Sequence, residues 1–156
     1  MTAQPTPLTR AELVRRLGAA RVWWLVSADA EHGPHAVPVW GVAVDDTLVT
    51  YVDPSARRYA QLKADPRCVV HLESGTEVLI VRGTATDIGA PAEHPAVVAA
   101  YRADYPGEGD AEFLPDVPEM AGIRFLRIDP TSAMAWDVDD FFASQRRWSA
   151  GSPAAE

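Results

Sequence analysis

Short runs of β-branched and aromatic residues, separated by turn signals, dominate the chain and predict a mainly β protein. The predicted strands share this pattern and span residues 22–28, 35–44, 47–52, 67–73, 77–87, 123–128 and 133–136. Turn-like residues fill 29–34, and Asp45-Asp46 supplies a tight turn between the second strand and the third. The pattern predicts a six- or seven-stranded antiparallel barrel with helices around it.

The first helix is predicted from signals at its N-terminus. Thr9 is placed to cap the helix, Glu12 to close a capping box with it, and Leu8 to pack against Leu13. We expect this helix to end near Gly18.

A short second helix is predicted over 55–64, directly after the third strand. Asp53 or the serine at the start of this range can cap it, and Pro66 requires it to end by the preceding residue. Residues 91–105 have helical spacing, whereas 106–118 are rich in Gly, Pro and acidic residues and are predicted to be a loop.

The second predicted strand is apolar on both faces. Val37 and Val39 point one way, and Ala36 and Trp40 point the other, where a half-exposed strand would carry polar residues. One face therefore has to meet something besides the barrel core, either a partner subunit or a cofactor.

Length and composition predict one cytoplasmic domain. The 156 residues suit a single domain, expected over 1–148, with a disordered tail over 149–156. No apolar run is long enough to span a membrane, and Met1 to Pro7 do not resemble a secretory signal. The formal net charge of −8 argues against non-specific nucleic-acid binding, and Cys68 is expected to be a buried thiol.

The sequence lacks the motifs of several common enzyme classes. No glycine-rich turn joins a strand to a helix in a parallel unit, so the dinucleotide and P-loop motifs are missing. The four histidines are scattered and no ligand set has metal-binding spacing, so no metal site is predicted. There is also no Gly-x-Ser-x-Gly motif of a hydrolase.

The most informative feature is the arginine pair at the start of the second predicted helix. Arg57 and Arg58 follow the end of a strand, so free backbone N–H groups, the positive end of the helix dipole and two guanidinium groups meet near one point. This arrangement predicts an anion site, although a solvated helix face is the alternative and Asp53 nearby would weaken anion binding.

Three segments together resemble the pyridoxamine 5′-phosphate oxidase-like, flavin-binding split-barrel family and its deazaflavin-dependent actinobacterial relatives. They are the hairpin residues 33–40, the strand-to-helix segment 51–67 and the strand 78–85. The resemblance implies an FMN-binding-type split barrel that works as a homodimer, with the cofactor at the subunit interface.

The resemblance also implies positions for a cofactor site, with no catalytic residue assigned. Arg58 stands where the family places a phosphate-binding lysine. The implied cofactor-binding residues are Val39, Trp40, Tyr51, Val52, Ser55, Arg57, Arg58, Arg147 and Trp148. The last two belong to a late Arg-Trp element that can reach the cofactor across the dimer, although Trp148 can equally pack the tail against the barrel.

Two departures from the family pattern bear on the activity. The pyridoxamine phosphate oxidases carry an Arg and a Lys on the second strand, where this chain has Pro38 and Ala43. The resemblance is therefore to flavin- or deazaflavin-dependent oxidoreductases, using FMN or deazaflavin coenzyme F-420, that transfer hydride between the cofactor and a small organic substrate. Of the two, deazaflavin is favoured, and Arg82, Arg146 and Arg147 are candidates to line a groove for its acidic tail.

Two other functions fit the same sequence. The barrel could bind or carry a flavin, a deazaflavin or a haem without turnover. It could also be an interaction protein with no cofactor, whose apolar strand faces serve only dimerisation.

Overall fold

The structure is a computed structural model that describes residues 5–151. Its helices and strands, in chain order, are α1 (Arg10–Ala19), β1 (Trp23–Asp29), β2 (Gly33–Val39), β3 (Gly41–Val44), β4 (Thr47–Val52), α2 (Arg57–Ala64), β5 (Arg67–His71), β6 (Glu77–Gly89), α3 (Pro95–Asp104), β7 (Arg124–Asp137), α4 (Phe141–Ser144) and β8 (Arg146–Ser149). All the strand pairs are antiparallel, which confirms the predicted mainly β split barrel with peripheral helices.

The sheet curls because its two end strands are consecutive in the chain. The strand order is β2-β1-β5-β6-β7-β4-β3, with β8 added beside β7, and only Trp40 separates β2 from β3. β2 pairs with β1, whereas β3 pairs with β4. The prediction of one strand over 35–44 was therefore wrong, since this segment turns from one end of the sheet path to the other at Trp40.

The turn between β3 and β4 follows the sequence prediction. Asp45 and Asp46 both have positive φ, 47° and 60°. A two-residue turn with both φ values positive matches the right-handed twist of the flanking strands. The pairing of Val44 with Thr47 fixes the register of this hairpin.

The long strand β7 replaces two shorter predicted strands. The stretch Asp129-Pro130-Thr131 has turn-like composition, but the strand continues through it. A register shift between Arg82 and Gly83 on β6 accommodates the change, and an added Cβ at Gly83 would lie 2.6 Å from the Asp129 carbonyl oxygen.

The C-terminal part was only partly predicted. Neither α4 nor β8 was predicted, and β8 includes Ser149, the first residue of the predicted disordered tail. Residues 152–156 of that tail lie outside the described residues.

The start of α1 confirms the predicted cap but not the reciprocal bond. The Thr9 hydroxyl accepts a hydrogen bond from the Glu12 backbone N–H at 3.2 Å, and Leu8 and Leu13 are both buried. The Glu12 carboxylate instead accepts two hydrogen bonds from Arg146 of β8, at 2.8 and 2.9 Å. A charged partner from a distant strand thus replaces the local contact of a capping box.

Two apolar clusters hold the barrel together. The larger cluster fills the barrel and is covered by α1, and it includes Leu17, Trp23, Leu25 and Leu79. The second packs α3 against β3, β4 and β7 and is centred on Tyr101. Cys68 is buried, as predicted, and burial raises the pKa of its thiol to about 12.

No helix between residues 5 and 151 is long and apolar enough to cross a membrane.

Candidate functional site

A cavity of about 450 Å³ lies where the chain turns between β2 and β3. Its lining residues come from five places in the sequence and are Val22, Pro38, Val39, Trp40, Tyr51, Arg58 and Phe113. Four of the nine predicted cofactor-binding residues are among them. The fold therefore brings Arg58 to one place with three other predicted cofactor-binding residues, Val39, Trp40 and Tyr51.

Arg58 is the cationic group of this cavity. Its side chain is half-buried, and its Nε is buried without a hydrogen-bond partner. Burial lowers the pKa of Arg58, while the charge of Asp53 opposes this shift, and the guanidinium remains cationic at neutral pH. A buried donor without an acceptor is rare in folded proteins, and at a cavity wall it marks a position where a ligand oxygen fits.

The N-terminus of α2 leaves backbone donors free beside Arg58. The helix begins at Arg57 with Ala56 as its N-cap, and no side chain caps it. The prediction that Asp53 or Ser55 caps this helix was wrong, because the Asp53 carboxylate accepts from the Ser55 backbone N–H and hydroxyl, both at 2.8 Å. The Tyr59 N–H donates to the Ala56 carbonyl oxygen at 3.0 Å, so the N–H groups of Arg57 and Arg58 are the ones available to an anion.

Tyr51 contributes a polar group to the cavity wall. Its hydroxyl donates to the Phe113 carbonyl oxygen at 3.0 Å. Burial raises the pKa of Tyr51 to about 12, against the opposing charge of Arg58. The phenol is therefore neutral near pH 7 and serves as a hydrogen-bond donor rather than as an acid or base.

Trp40 is held rigidly in the cavity wall. Its ring stacks on Tyr105 with centroids 4.3 Å apart and an interplanar angle of 12°. Its carbonyl oxygen accepts hydrogen bonds from the Thr50 hydroxyl at 2.6 Å and from the Tyr101 hydroxyl at 3.2 Å. The Arg21 guanidinium lies 5.2 Å from the centroids of both stacked rings.

Three predicted residues lie close to the cavity along the chain without lining it. Val52 is fully buried in the barrel core, where its side chain packs with the larger cluster. Ser55 and Arg57 are exposed at the start of α2. Arg57 therefore contributes charge near the cavity, whereas Arg58 contributes a donor inside it.

Arg147 and Trp148 do not line this cavity within one chain. Val52 pairs with Arg124 at the start of β7, whereas Arg147 pairs with Met134, about ten residues further along the same strand. An extended strand of that length spans about 33 Å. Trp148 packs against the barrel core, and Arg147 lines a second, smaller cavity.

Sequence reasoning missed Phe113 and Val22 as cavity residues. Phe113 belongs to the predicted loop 106–118, which contains the 3₁₀ segment Glu108–Phe113, and nothing local links it to Trp40. A large aromatic residue among acidic neighbours was the one signal available. Pro38, named as a departure from the family pattern, also lines the cavity.

A larger cavity of about 630 Å³ lies between α3 and residues 115–123. Its two charged lining groups are already paired, Asp116 with Arg102 at 2.7 Å and Arg124 with Asp87 at 3.0 Å. None of the predicted site residues lines it. The 450 Å³ cavity is the better candidate site, because the buried Nε of Arg58, which lacks a hydrogen-bond partner, lies in its wall.

Fold and cavity together define an antiparallel split barrel with a cationic, aromatic-lined site. The family model for pyridoxamine 5′-phosphate oxidase matches residues 9–137. Because this match covers most of the chain, the protein belongs to that family. No curated protein sequence matches the chain.

Solved structures share this fold. Conserved hypothetical protein Rv2991 from Mycobacterium tuberculosis matches with a TM-score of 0.71 and 18% identity over 99% of each chain. A heme binding protein from Mycobacterium smegmatis matches with a TM-score of 0.67 and 16% identity, over 92% of this chain and 59% of that one. HutZ, the heme storage protein from Vibrio cholerae, has a TM-score of 0.59 and 15% identity, over 79% and 91%. At these identities the likeness shows the fold alone.

Proposed function

We propose that the protein is a flavin- or deazaflavin-dependent oxidoreductase that binds FMN or deazaflavin coenzyme F-420 with the cofactor phosphate on Arg58. The observation that carries the proposal is the buried, unpartnered Nε of Arg58 in the wall of an aromatic cavity. A phosphate oxygen supplies the acceptor that this donor lacks, and the uncapped N-terminus of α2 adds backbone donors.

The remaining cavity residues suit the organic part of such a cofactor. Trp40 and Phe113 provide aromatic surface, and Val39 and Pro38 provide apolar surface. The bound ring would supply the hydride chemistry, while the protein binds it, orients it and excludes water. Tyr51 is neutral at physiological pH and donates its hydroxyl hydrogen to the Phe113 carbonyl oxygen, so it would not act as an acid or a base on the ligand.

We further propose that the protein acts as a homodimer through the outer face of the sheet. Half-buried or exposed apolar side chains follow one another across paired strands on this face, from Pro38 through Trp24 and past His71 to Ile80. Contiguous apolar surface of this kind marks an interface more often than a solvated face. Pro38 belongs to both this row and the cavity, so a second copy would border the cofactor.

One of the three arginines considered for the acidic tail of the deazaflavin coenzyme is already paired within the protein. Arg146 is engaged by the Glu12 carboxylate through two hydrogen bonds. Arg82 and Arg147 are exposed and remain candidates to bind the tail. We propose both cofactors, with the deazaflavin preferred if these two arginines lie along its path in the dimer.

Cofactor titration followed by single-turnover oxidation tests this function. Absorbance and mass spectrometry of the purified protein identify any retained cofactor, and fluorescence titration gives the affinity for FMN and for coenzyme F-420. The reduced complex is then mixed with quinones, enones and biliverdin. Oxidation of the bound cofactor by one of them supports the proposal, whereas failure to bind either cofactor refutes it and favours a pure interaction protein.

Non-catalytic cofactor binding is the second candidate, because two of the matched structures are named for haem. In this chain, the Nδ1 of His71 lies 2.7 Å from the Leu72 carbonyl oxygen, which leaves Nε2 with a free lone pair on the outer sheet face. Iron-ligating histidines are commonly oriented in this way. Haem binding that is lost in His71→Ala, without oxidation of any reduced ring cofactor, would favour this candidate.

A further inference from the structure

The loop between α3 and β7 supplies one wall of the cavity. Phe113 ends the 3₁₀ segment Glu108–Phe113, and 47% of its surface is exposed. Its ring is 6.0 Å from Trp40, centroid to centroid, at an interplanar angle of 78°. A large aromatic side chain is therefore presented at the cavity with much of its surface not covered by the protein.

Polar contacts hold the backbone segment that carries this ring. Asp110, three residues earlier, is only 7% exposed and forms an ion pair with Arg21. The Asp110 carboxylate also accepts from the Gly107 backbone N–H at 3.1 Å. Hydrogen bonding from Arg21 lowers the pKa of Asp110, so this carboxylate stays charged at neutral pH.

One anchoring contact starts from a residue that lines the cavity, and the other starts from Arg21, which packs on the cavity residue Trp40. Arg21, which holds Asp110, lies over the rings of Trp40 and Tyr105. Tyr51, which lines the cavity, donates to the backbone carbonyl of Phe113. The position of Phe113 is thus tied to the same aromatic residues that would contact a bound ring.

We propose that Phe113 is a ligand-binding residue of this cavity and that the Arg21–Asp110 ion pair is the element that positions it. The ligand is of the class with a planar or apolar body joined to a phosphate, the phosphate lying on Arg58 and the body against Phe113. The inference rests on the proposed function, because it takes the Arg58 cavity to be the cofactor site.

A double-mutant cycle on ligand dissociation separates positioning from simple stabilisation of the loop. The dissociation rates of FMN and of coenzyme F-420 are measured by stopped-flow fluorescence for the wild type, Phe113→Ala, Asp110→Asn and the double variant. Loss of an aromatic contact corresponds to about a fivefold faster dissociation for Phe113→Ala. Introduced alone, Asp110→Asn should accelerate dissociation about threefold. Introduced into the Phe113→Ala variant, it should leave the dissociation rate unchanged.

Matched variants control for charge and for folding. Glu108→Gln removes one negative charge from the same segment at an exposed position and should leave the rate unchanged. Phe113→Leu keeps an apolar wall and should give an intermediate rate. Because Phe113 is exposed in the free protein, its replacement is not expected to lower the melting temperature.

The outcomes distinguish the inference from the function on which it rests. If Arg58→Ala weakens binding while Phe113→Ala dissociates at the wild-type rate, the function stands and the role of Phe113 is refuted. If the effects of Asp110→Asn and Phe113→Ala multiply in the double variant, the positioning role is refuted. If the wild type binds neither ring cofactor, both proposals fail.

Discussion

Replacing Arg58 by alanine removes the single group on which the proposed cofactor site depends. In the free protein this guanidinium holds a buried Nε without a partner. Leaving a buried donor unsatisfied costs roughly 1–3 kcal/mol, so its removal should not destabilise the fold. We therefore expect Arg58→Ala to keep or slightly raise the melting temperature of the ligand-free protein.

Binding should change in the opposite direction. Charge-assisted hydrogen bonds contribute about 1.5–3 kcal/mol when they are shielded from water, which corresponds to a roughly 10- to 150-fold higher Kd. Fluorescence titration of FMN and of coenzyme F-420 measures this change. Arg58→Lys keeps the charge but lacks the planar fork, and its affinity should lie between those of alanine and wild type.

Arg57→Ala is the matched control, since it removes the same charge from the neighbouring, exposed position. We expect a smaller loss of affinity, and one that decreases as salt is added. Equal losses for the two variants would show that only the net charge matters. Unchanged affinity in Arg58→Ala, or a large drop in its melting temperature, would refute the reasoning from the unpartnered Nε.

Three further predictions follow from the fold. Trp24→Glu places a charge in the outer apolar row and should shift the protein from dimer to monomer in light scattering; a wild-type protein that is already monomeric contradicts the proposed interface. Gly41→Ala should lower the free energy of unfolding, measured by denaturant titration, by about 1–3 kcal/mol, because the added Cβ would lie 2.4 Å from the Trp23 ring. Gly75→Ala is the control: its Cβ would meet no atom within 4 Å, so the free energy of unfolding should hardly change. Burial acts to raise the pKa of Asp87, but its hydrogen bonds prevail and lower it. The contribution of Asp87 to the free energy of unfolding is therefore present above about pH 4 and is lost as the pH falls through the lowered pKa. Asp87→Asn should flatten that part of the curve of stability against pH, and an unchanged slope would refute this.

Local signals in the sequence were sufficient for the parts of the fold that depend on neighbouring residues. The Thr9 cap and the Asp45-Asp46 turn are set by side chains and φ values within a few residues, and the structure has both. Arg58 was placed correctly in the first turn of α2, because the end of β4 limits where that helix can begin and Pro66 limits where it can end.

The remaining parts depend on contacts between distant segments. Trp40 breaks a strand that is apolar throughout, and the break becomes visible only when the two halves pair with β1 and β4. Glu12 bonds to Arg146 rather than to its own helix, since a charged partner is the stronger hydrogen-bond donor. Phe113 reaches the cavity through the Asp110 ion pair with Arg21, a contact between residues 89 positions apart.

A crystal structure of the protein with bound FMN or coenzyme F-420 is the most direct test of the account. We predict a phosphate oxygen within about 3 Å of the Arg58 Nε, with the N-terminus of α2 facing the same phosphate. A cofactor bound in the larger cavity beside α3, with the Arg58 guanidinium turned to solvent, would contradict the account.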